Sequence, residues 1–249
     1  LVFFVSWNHI LDLRGTVISY FLFTRKRTIY KIKKSDQNYH KVSVISKKVC
    51  KETLFPRINI NQEDLKTKRK LNEIKKLKKS KKLVVIAPSA NWSGKIWPIE
   101  RFSQLINKLS RSKFFKKSIF IIIGPLEEKK LISELLKRNK SMILDLVGRT
   151  NLAEIFLIMK QCEIFIGNDS GLMHLAALSG IPTVGLFGPS DVKRYHPWGT
   201  KTLAISSPKT PEQLMGHKEF NPKNCGSLML DLKVEVVLKQ IIEFYSKYR

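Results

Sequence analysis

The sequence predicts an α/β protein whose second half is built on a parallel sheet with helices on both faces. Three observations predict it. Strand-like and helix-like segments alternate from residue 82 onward. The strand-like segments are continuously apolar, as strands covered on both faces must be, rather than alternating apolar and polar. Small and polar residues cluster where those strands stop, which is where such sheets carry their ligands.

KLVVIAP (82–88) reads as the first of these strands. PIERFSQLINKLSR (98–111) follows, with Phe102, Leu105, Ile106 and Leu109 on one face at helical spacing. SIFIIIG (118–124) is a β-branched strand ended by Gly, and LEEKKLISELLKRN (126–139) a helix, acidic at its start and basic at its end as the helix dipole prefers. MILDLVG (142–148) reads as a strand, and 151–161 as a helix opening on Asn151, a good N-cap. EIFIG (163–167) and PTVGLFG (182–188) are strands on either side of a helix over 170–179 closed by Gly180. A looser loop region comes next, then an amphipathic helix over 231–247. The pattern predicts a Rossmann-like layer of about five strands.

The chain has 249 residues, 46 Lys+Arg against 20 Asp+Glu, a formal net charge of +26 and a hydrophobic fraction of 43%. That apolar content excludes intrinsic disorder. Cys50, Cys162 and Cys225 are far apart, without Cys-x-x-Cys or His-x-x-x-His pairing, which excludes a disulfide scaffold and argues against structural zinc. All three read as ordinary thiols in a reducing compartment. The most apolar stretch, residues 1–23, is interrupted by His9, Asp12 and Arg14, so neither a membrane span nor a secretory leader is expected there. The first residue is Leu, on a strand-like run Leu1–Val5, which leads us to expect a start further upstream.

Most of the positive charge is Lys scattered along the chain, which solvated faces accommodate without a partner. Residues 66–82 are denser, with nine Lys, one Arg and the single acid Glu73. Leu71, Ile74 and Leu77 give this run a thin apolar edge at helical spacing. It fits a linker helix, or a helix lying on an anionic membrane surface. It has no aromatic residue, so a nucleic-acid partner is not expected. The run divides the sequence into an N-terminal part (1–65), a basic linker (66–82) and the α/β part (83–249).

The turns after the strands hold the chemistry. Pro88 to Pro98 is a small-residue loop carrying Lys95 just before a helix; it suits phosphate binding, although, taken alone, a lysine there is more often a solvated loop lysine. Glu127 and Glu128 follow the next strand, and a carboxylate there can accept hydrogen bonds from a ribose diol or simply complement a helix start. Gly167-Asn168-Asp169-Ser170-Gly171-Leu172-Met173-His174 is the most informative stretch: a strand ends in Gly and a polar cluster enters a helix directly. Asp169 reads as its N-cap, and Ser170 and Gly171 place N–H groups toward an anion. The order is not Gly-x-Ser-x-Gly, which excludes a serine nucleophile elbow. His174 lies one turn in, and taken by itself it is more often a helix histidine with its own partner than a ligand contact. Gly188-Pro189-Ser190-Asp191 opens a turn-rich loop that either closes over a ligand or merely connects.

In combination, Lys-x-Trp-Pro (95–98), Gly-Asn-Asp-Ser-Gly-Leu-x-His-Leu-Ala-Ala (167–177) and Gly-x-Pro-Thr-x-x-Leu-Phe-Gly-Pro-Ser (180–190) resemble glycosyltransferase family 9, the lipopolysaccharide heptosyltransferases of GT-B architecture. The resemblance runs from Leu83 to Trp198, and Asp12-Leu13-Arg14-Gly15 resembles part of that family's N-terminal, acceptor-side domain. It implies a nucleotide-diphosphate sugar such as ADP-heptose as donor and a lipid-linked core oligosaccharide as acceptor. It implies that Lys95 meets the diphosphate or sugar and that Glu127 or Glu128 holds the ribose. It further implies that Asp169, Ser170, Gly171 and Leu172 cradle the phosphates through main-chain N–H groups, with His174 near the β-phosphate. Leu146-Val147-Gly148 would line the adenine pocket. Neither metal nor other cofactor is expected; a helix N-terminus and Lys95 would stabilise the leaving diphosphate.

The same resemblance places the general base in a loop upstream of Leu1, so a truncated enzyme is expected, working at the cytoplasmic face of the inner membrane with its basic surface toward anionic lipid. Asp12 falls in a different family segment and is not assigned as that base. A binding protein without turnover, a GT-B nucleotide-sugar epimerase and a basic nucleic-acid-binding protein are the alternatives. ADP binding, acceptor dependence and salt-dependent nucleic-acid binding separate them.

Overall fold

The computed structural model describes residues 5–13, 17–30, 33–58, 60 and 68–248. The start of the expected strand Leu1–Val5, the Arg14-Gly15-Thr16 part of the N-terminal motif and the first residues of the basic run lie outside them. The chain divides into two compact units, Leu1–Phe55 and Pro56–Arg249.

In the first unit, β1 (Trp7–Asp12) and β2 (Thr24–Ile29) pair in parallel, and α1 (Lys41–Cys50) follows. The turn between the strands is held by Arg27, whose guanidinium donates to the Ser19 carbonyl at 2.9 Å and the Leu22 carbonyl at 3.0 Å.

The second unit opens with α2 (Lys68–Lys78), the basic segment. Its apolar edge is neither a bare linker face nor a free membrane face. Ile74 is buried in a core cluster with Ile155, Ile158 and Met159, and Leu77 packs against the same cluster. Ile74 and Leu77 are consumed in packing, Lys70 donates to the Arg149 carbonyl, and Lys75, Lys76 and Lys78 are exposed.

The sheet has six parallel strands: β3 (Leu83–Ala87), β4 (Ile119–Ile122), β5 (Ile143–Asp145), β6 (Ile164–Asn168), β7 (Thr183–Phe187) and β8 (Thr202–Ser206), in the spatial order β5-β4-β3-β6-β7-β8. That is one strand more than expected. β8 comes from the region read as loop; its run is short and polar at both ends, and as the last strand it pairs only with β7. The long helix expected over 126–139 is a 3₁₀ turn at Leu126–Glu128 and a short α4 (Ser133–Arg138).

The remaining helices are α3 (Ile99–Arg111), α5 (Leu152–Met159), α6 (Gly171–Ser179), α7 (Val192–Tyr195), α8 (Pro211–Met215) and α9 (Val234–Ser246). Asn151 caps α5 as expected: its side chain accepts from the Glu154 N–H at 2.9 Å and Glu154 returns a bond to the Asn151 N–H at 2.9 Å. Gly180 closes α6 at φ +83°, a conformation that costs glycine little.

β3 shows why its sequence is apolar throughout. Val84 and Ile86 enter one core with Trp97, Phe102 and α9, while Leu83, Val85 and Ala87 enter the other with α5 and α6. Successive side chains point to opposite faces, so both must be apolar when both faces are covered. The two central strands lie so close that a Cβ on Gly167 would stand 2.8 Å from the Ala87 carbonyl oxygen. Strand order runs outward in both directions from the β3–β6 pair. Such a reversal opens a crevice at the carboxyl ends of the two strands.

Candidate functional site

The turns leaving β3 and β6 meet at that crevice. Ser89, Ala90 and Asn91 follow β3, while Ser170, Gly171 and Leu172 begin α6; with Pro125, Glu128, Leu152 and Leu175 they line a cavity of about 330 Å³. This is within the range of small-molecule sites.

Asn168 positions the two turns against each other. It is fully buried; its amide donates to the Pro88 carbonyl at 2.8 Å, and its side-chain oxygen accepts from the Trp97 N–H at 3.1 Å. Trp97, also fully buried, donates through its indole to the Leu232 carbonyl at 2.8 Å. Residues 222–232 hold the same loop from outside: Trp92 Nε1 donates to the Pro222 carbonyl at 2.6 Å and Ser93 Oγ to the Cys225 carbonyl at 2.7 Å.

The residue at the helix start differs from the expectation. Ser170, not Asp169, occupies the N-cap of α6, and its hydroxyl makes no capping bond. Ser170 Oγ is buried without a hydrogen-bond partner at the cavity wall. The unpaired N–H groups at a helix start together with an unsatisfied hydroxyl suit an anionic ligand. Gly171 adds room, since a Cβ there would meet nothing within 4 Å.

Asp169 turns the other way. Its carboxylate oxygen Oδ2 receives the Lys95 ammonium at 2.7 Å and the Ser190 hydroxyl at 2.6 Å. Lys95 stands on a 3₁₀ turn, Ser93–Lys95, with its side chain 27% exposed against 7% for that of Asp169. The pair lies beside the cavity rather than in its wall.

Of the two glutamates, the fold brings only Glu128 to the cavity; Glu127 is exposed. Glu128 Oε2 is buried without a hydrogen-bond partner. Burial pushes its carboxyl above the ordinary value of 4.5, Ser89 pulls it the other way and the Glu127 charge adds to the rise. The carboxyl has a hydrogen bond with the Ser89 side chain as its counterweight to burial, and the buried Oε2 at the cavity wall suits a ligand hydroxyl.

Leu146 and Val147 do not line the cavity: both are buried, one in each core cluster. His174 is half-buried on α6 and is also outside the wall. Asn168, Ser89 and Ser190 are the site residues whose contacts sequence spacing did not foretell. Asn168 and Ser190 lie within the noted motifs, but their partners are 71 to 80 and 21 residues away. Among the described residues, no group of three or more His, Cys, Asp or Glu is placed to hold a metal ion.

A parallel sheet in this order, with a cavity at the reversal of strand order and a helix start in its wall, defines the larger unit as a Rossmann-like α/β fold. The family model for glycosyltransferase family 9 (heptosyltransferase) matches residues 13–223, and the chain belongs to that family. Lipooligosaccharide heptosyltransferase 2 of Campylobacter jejuni is 28% identical over 168 residues, which is 66% of this chain and 51% of the relative. Lipopolysaccharide heptosyltransferase 3 of Escherichia coli is 29% identical over 117 residues, 46% of this chain and 33% of the relative.

The chain therefore spans about half the length of the first of these relatives and a third of the second. Among solved structures, a family 9 glycosyl transferase from Veillonella parvula superposes with a TM-score of 0.72 at 18% identity, covering 96% of this chain and 74% of that one. The ADP-heptose lipopolysaccharide heptosyltransferase II of Escherichia coli gives 0.68 at 16% identity, covering 97% and 77%. At these identities the superpositions establish the shared fold.

Proposed function

We propose that the unit Pro56–Arg249 is the donor half of a glycosyltransferase that moves heptose or a related sugar from a nucleotide-diphosphate donor of the ADP-heptose kind to a lipopolysaccharide core acceptor. One observation carries it: a cavity at the β3–β6 reversal is walled by the open N-terminus of α6 and by two buried, unsatisfied oxygens, Ser170 Oγ and Glu128 Oε2. In this reading the main-chain N–H groups of Ser170, Gly171 and Leu172 receive the diphosphate. Glu128, rather than Glu127, accepts the ribose hydroxyls. The turn Leu146-Val147-Gly148 presents main chain toward the base. Lys95 supplies positive charge beside the phosphates, with Asp169 holding it, and His174 lies one turn further along α6.

Transfer needs the diphosphate stabilised as the bond from the anomeric carbon to the phosphate oxygen breaks. A helix N-terminus does this without reorganising at the moment of reaction, and the Lys95 ammonium adds positive charge beside it. The protein works at the cytoplasmic face of the inner membrane, where its net charge of +26 draws it to anionic lipid and a phosphorylated acceptor. No described helix is long and apolar enough to cross a membrane.

Calorimetry with ADP, UDP and GDP tests the reading. ADP binding at least about tenfold tighter than the other two is expected. Absent ADP binding, or a nucleic-acid affinity that exceeds it, overturns the reading.

A further inference from the structure

We propose that Ser190 is a positioning residue: its hydroxyl sets how firmly Asp169 holds Lys95, and so how readily the Lys95 ammonium turns to a diphosphate in the adjacent cavity. This rests on the donor-site reading above and adds a residue to it. Three adjacent strands deliver their turns to one oxygen atom. Asp169 leaves β6, Lys95 stands on the turn after β3, and Ser190 lies just past β7; both donors reach Asp169 Oδ2, at 2.7 and 2.6 Å.

The two donors are not equivalent. Ser190 is 9% exposed and fixed at a strand end, whereas the Lys95 side chain is 27% exposed on a flexible stem. A hydroxyl has a single proton to donate, and Ser190 gives it to Asp169. The Asp169 side chain is only 7% exposed, and a buried carboxylate stripped of its donors is strongly unfavourable.

A diphosphate can draw Lys95 away only if Asp169 keeps another donor, and Ser190 is placed to be that donor. Without the hydroxyl, the whole compensation of the Asp169 charge falls to Lys95, which then stays on the carboxylate and is lost to the ligand. Asp169 and Ser190 together thus behave as a cradle that releases Lys95 on demand.

The test is a titration of the full chain with ADP by calorimetry and with adenosine by NMR, on Ser190→Ala, Ser190→Thr, Lys95→Met and the Lys95→Met/Ser190→Ala pair. Ser190→Ala should weaken ADP about tenfold, leave adenosine, which has no phosphate, within about twofold, and be rescued by Ser190→Thr. In the Lys95→Met background the Ser190→Ala penalty should shrink to under about twofold, because the route through Lys95 is gone. Unchanged ADP affinity in Ser190→Ala overturns the assignment. So does equal weakening of ADP and adenosine, or a penalty undiminished in the Lys95→Met background. If the unaltered chain fails to bind ADP, the donor-site reading falls and takes this assignment with it; an unaffected Ser190→Ala beside normal ADP binding removes this assignment alone.

Discussion

In the unit Pro56–Arg249, every residue of β3, β6 and β7 is buried; in the unit Leu1–Phe55, the parallel strands β1 and β2 leave most of their side chains exposed or half-exposed. The turn that joins β1 to β2 carries Tyr20, Phe21 and Phe23 at 63%, 67% and 69% exposure. The larger unit instead buries Trp97, Phe102, Phe115 and Phe120 completely. Both units use parallel pairing and both are rich in aromatic residues, so neither feature alone makes a core. What differs is cover. The six-stranded sheet has α3 and α9 on one face and α5 and α6 on the other, and apolar strands gain burial only where both faces are closed.

Four substitutions break or sharpen this contrast. The largest effect should come from Trp97→Ala, which empties a fully buried site and removes an edge-to-face contact with Phe102 at 5.0 Å between ring centroids. A loss of about 3–5 kcal/mol is expected in urea unfolding of the full chain. A loss under about 1 kcal/mol would mean that the larger unit is not packed as described.

Next is Gly171→Val, which places its Cβ in open space at the cavity wall. ADP should bind about tenfold more weakly, near 1.4 kcal/mol, while the unfolding midpoint stays almost where it was. Equal affinity would detach Gly171 from the phosphate role.

Glu128→Gln has a smaller effect, and its sign depends on pH. Burial raises the folded-state value of this carboxyl, so the folded chain binds protons more readily than the unfolded one. Stability therefore falls as pH rises through the window from the ordinary value to the raised one. Gln carries no such loss. Its stability relative to the parent should be greater above that window and fade below it, read from denaturation curves across pH; a constant difference would show that the carboxyl is not desolvated. Partial solvent access keeps the change small.

The least effect belongs to Phe21→Ser in the smaller unit, expected within about 0.5 kcal/mol of the parent. A loss above about 1.5 kcal/mol by the same unfolding measurement would give this turn a packing role that its exposure does not suggest.

The contrast also explains what was legible in the sequence. β3, β4, β6 and β7 were readable because strands buried on both faces are written as unbroken apolar runs. β8 was not, because a strand at the sheet edge tolerates a short run with polar ends. The hinge Asn168 to Leu172 stood out through its change from apolar strand to polar helix start. Its inner detail did not: Asp169 is an attractive cap by residue type, but an ion pair with Lys95 and a bond from Ser190 claim its carboxylate and leave the cap to Ser170. The apolar pair Leu146 and Val147 suited an adenine pocket equally well by type, and the packing of two cores took both side chains.

The alternation of strands and helices, the Asn151 and Gly180 caps and the place of the polar hinge were determined by the sequence alone, because each depends on residues within a few positions of one another. Tertiary structure decided which glutamate faces the cavity, where the basic helix spends its apolar edge, and that Lys95, Asp169 and Ser190 meet on one oxygen. These depend on strand order, which brings β3, β6 and β7 side by side although they begin at residues 83, 164 and 183. Such meetings are set by sheet pairing and right-handed crossovers, and no local spacing records them.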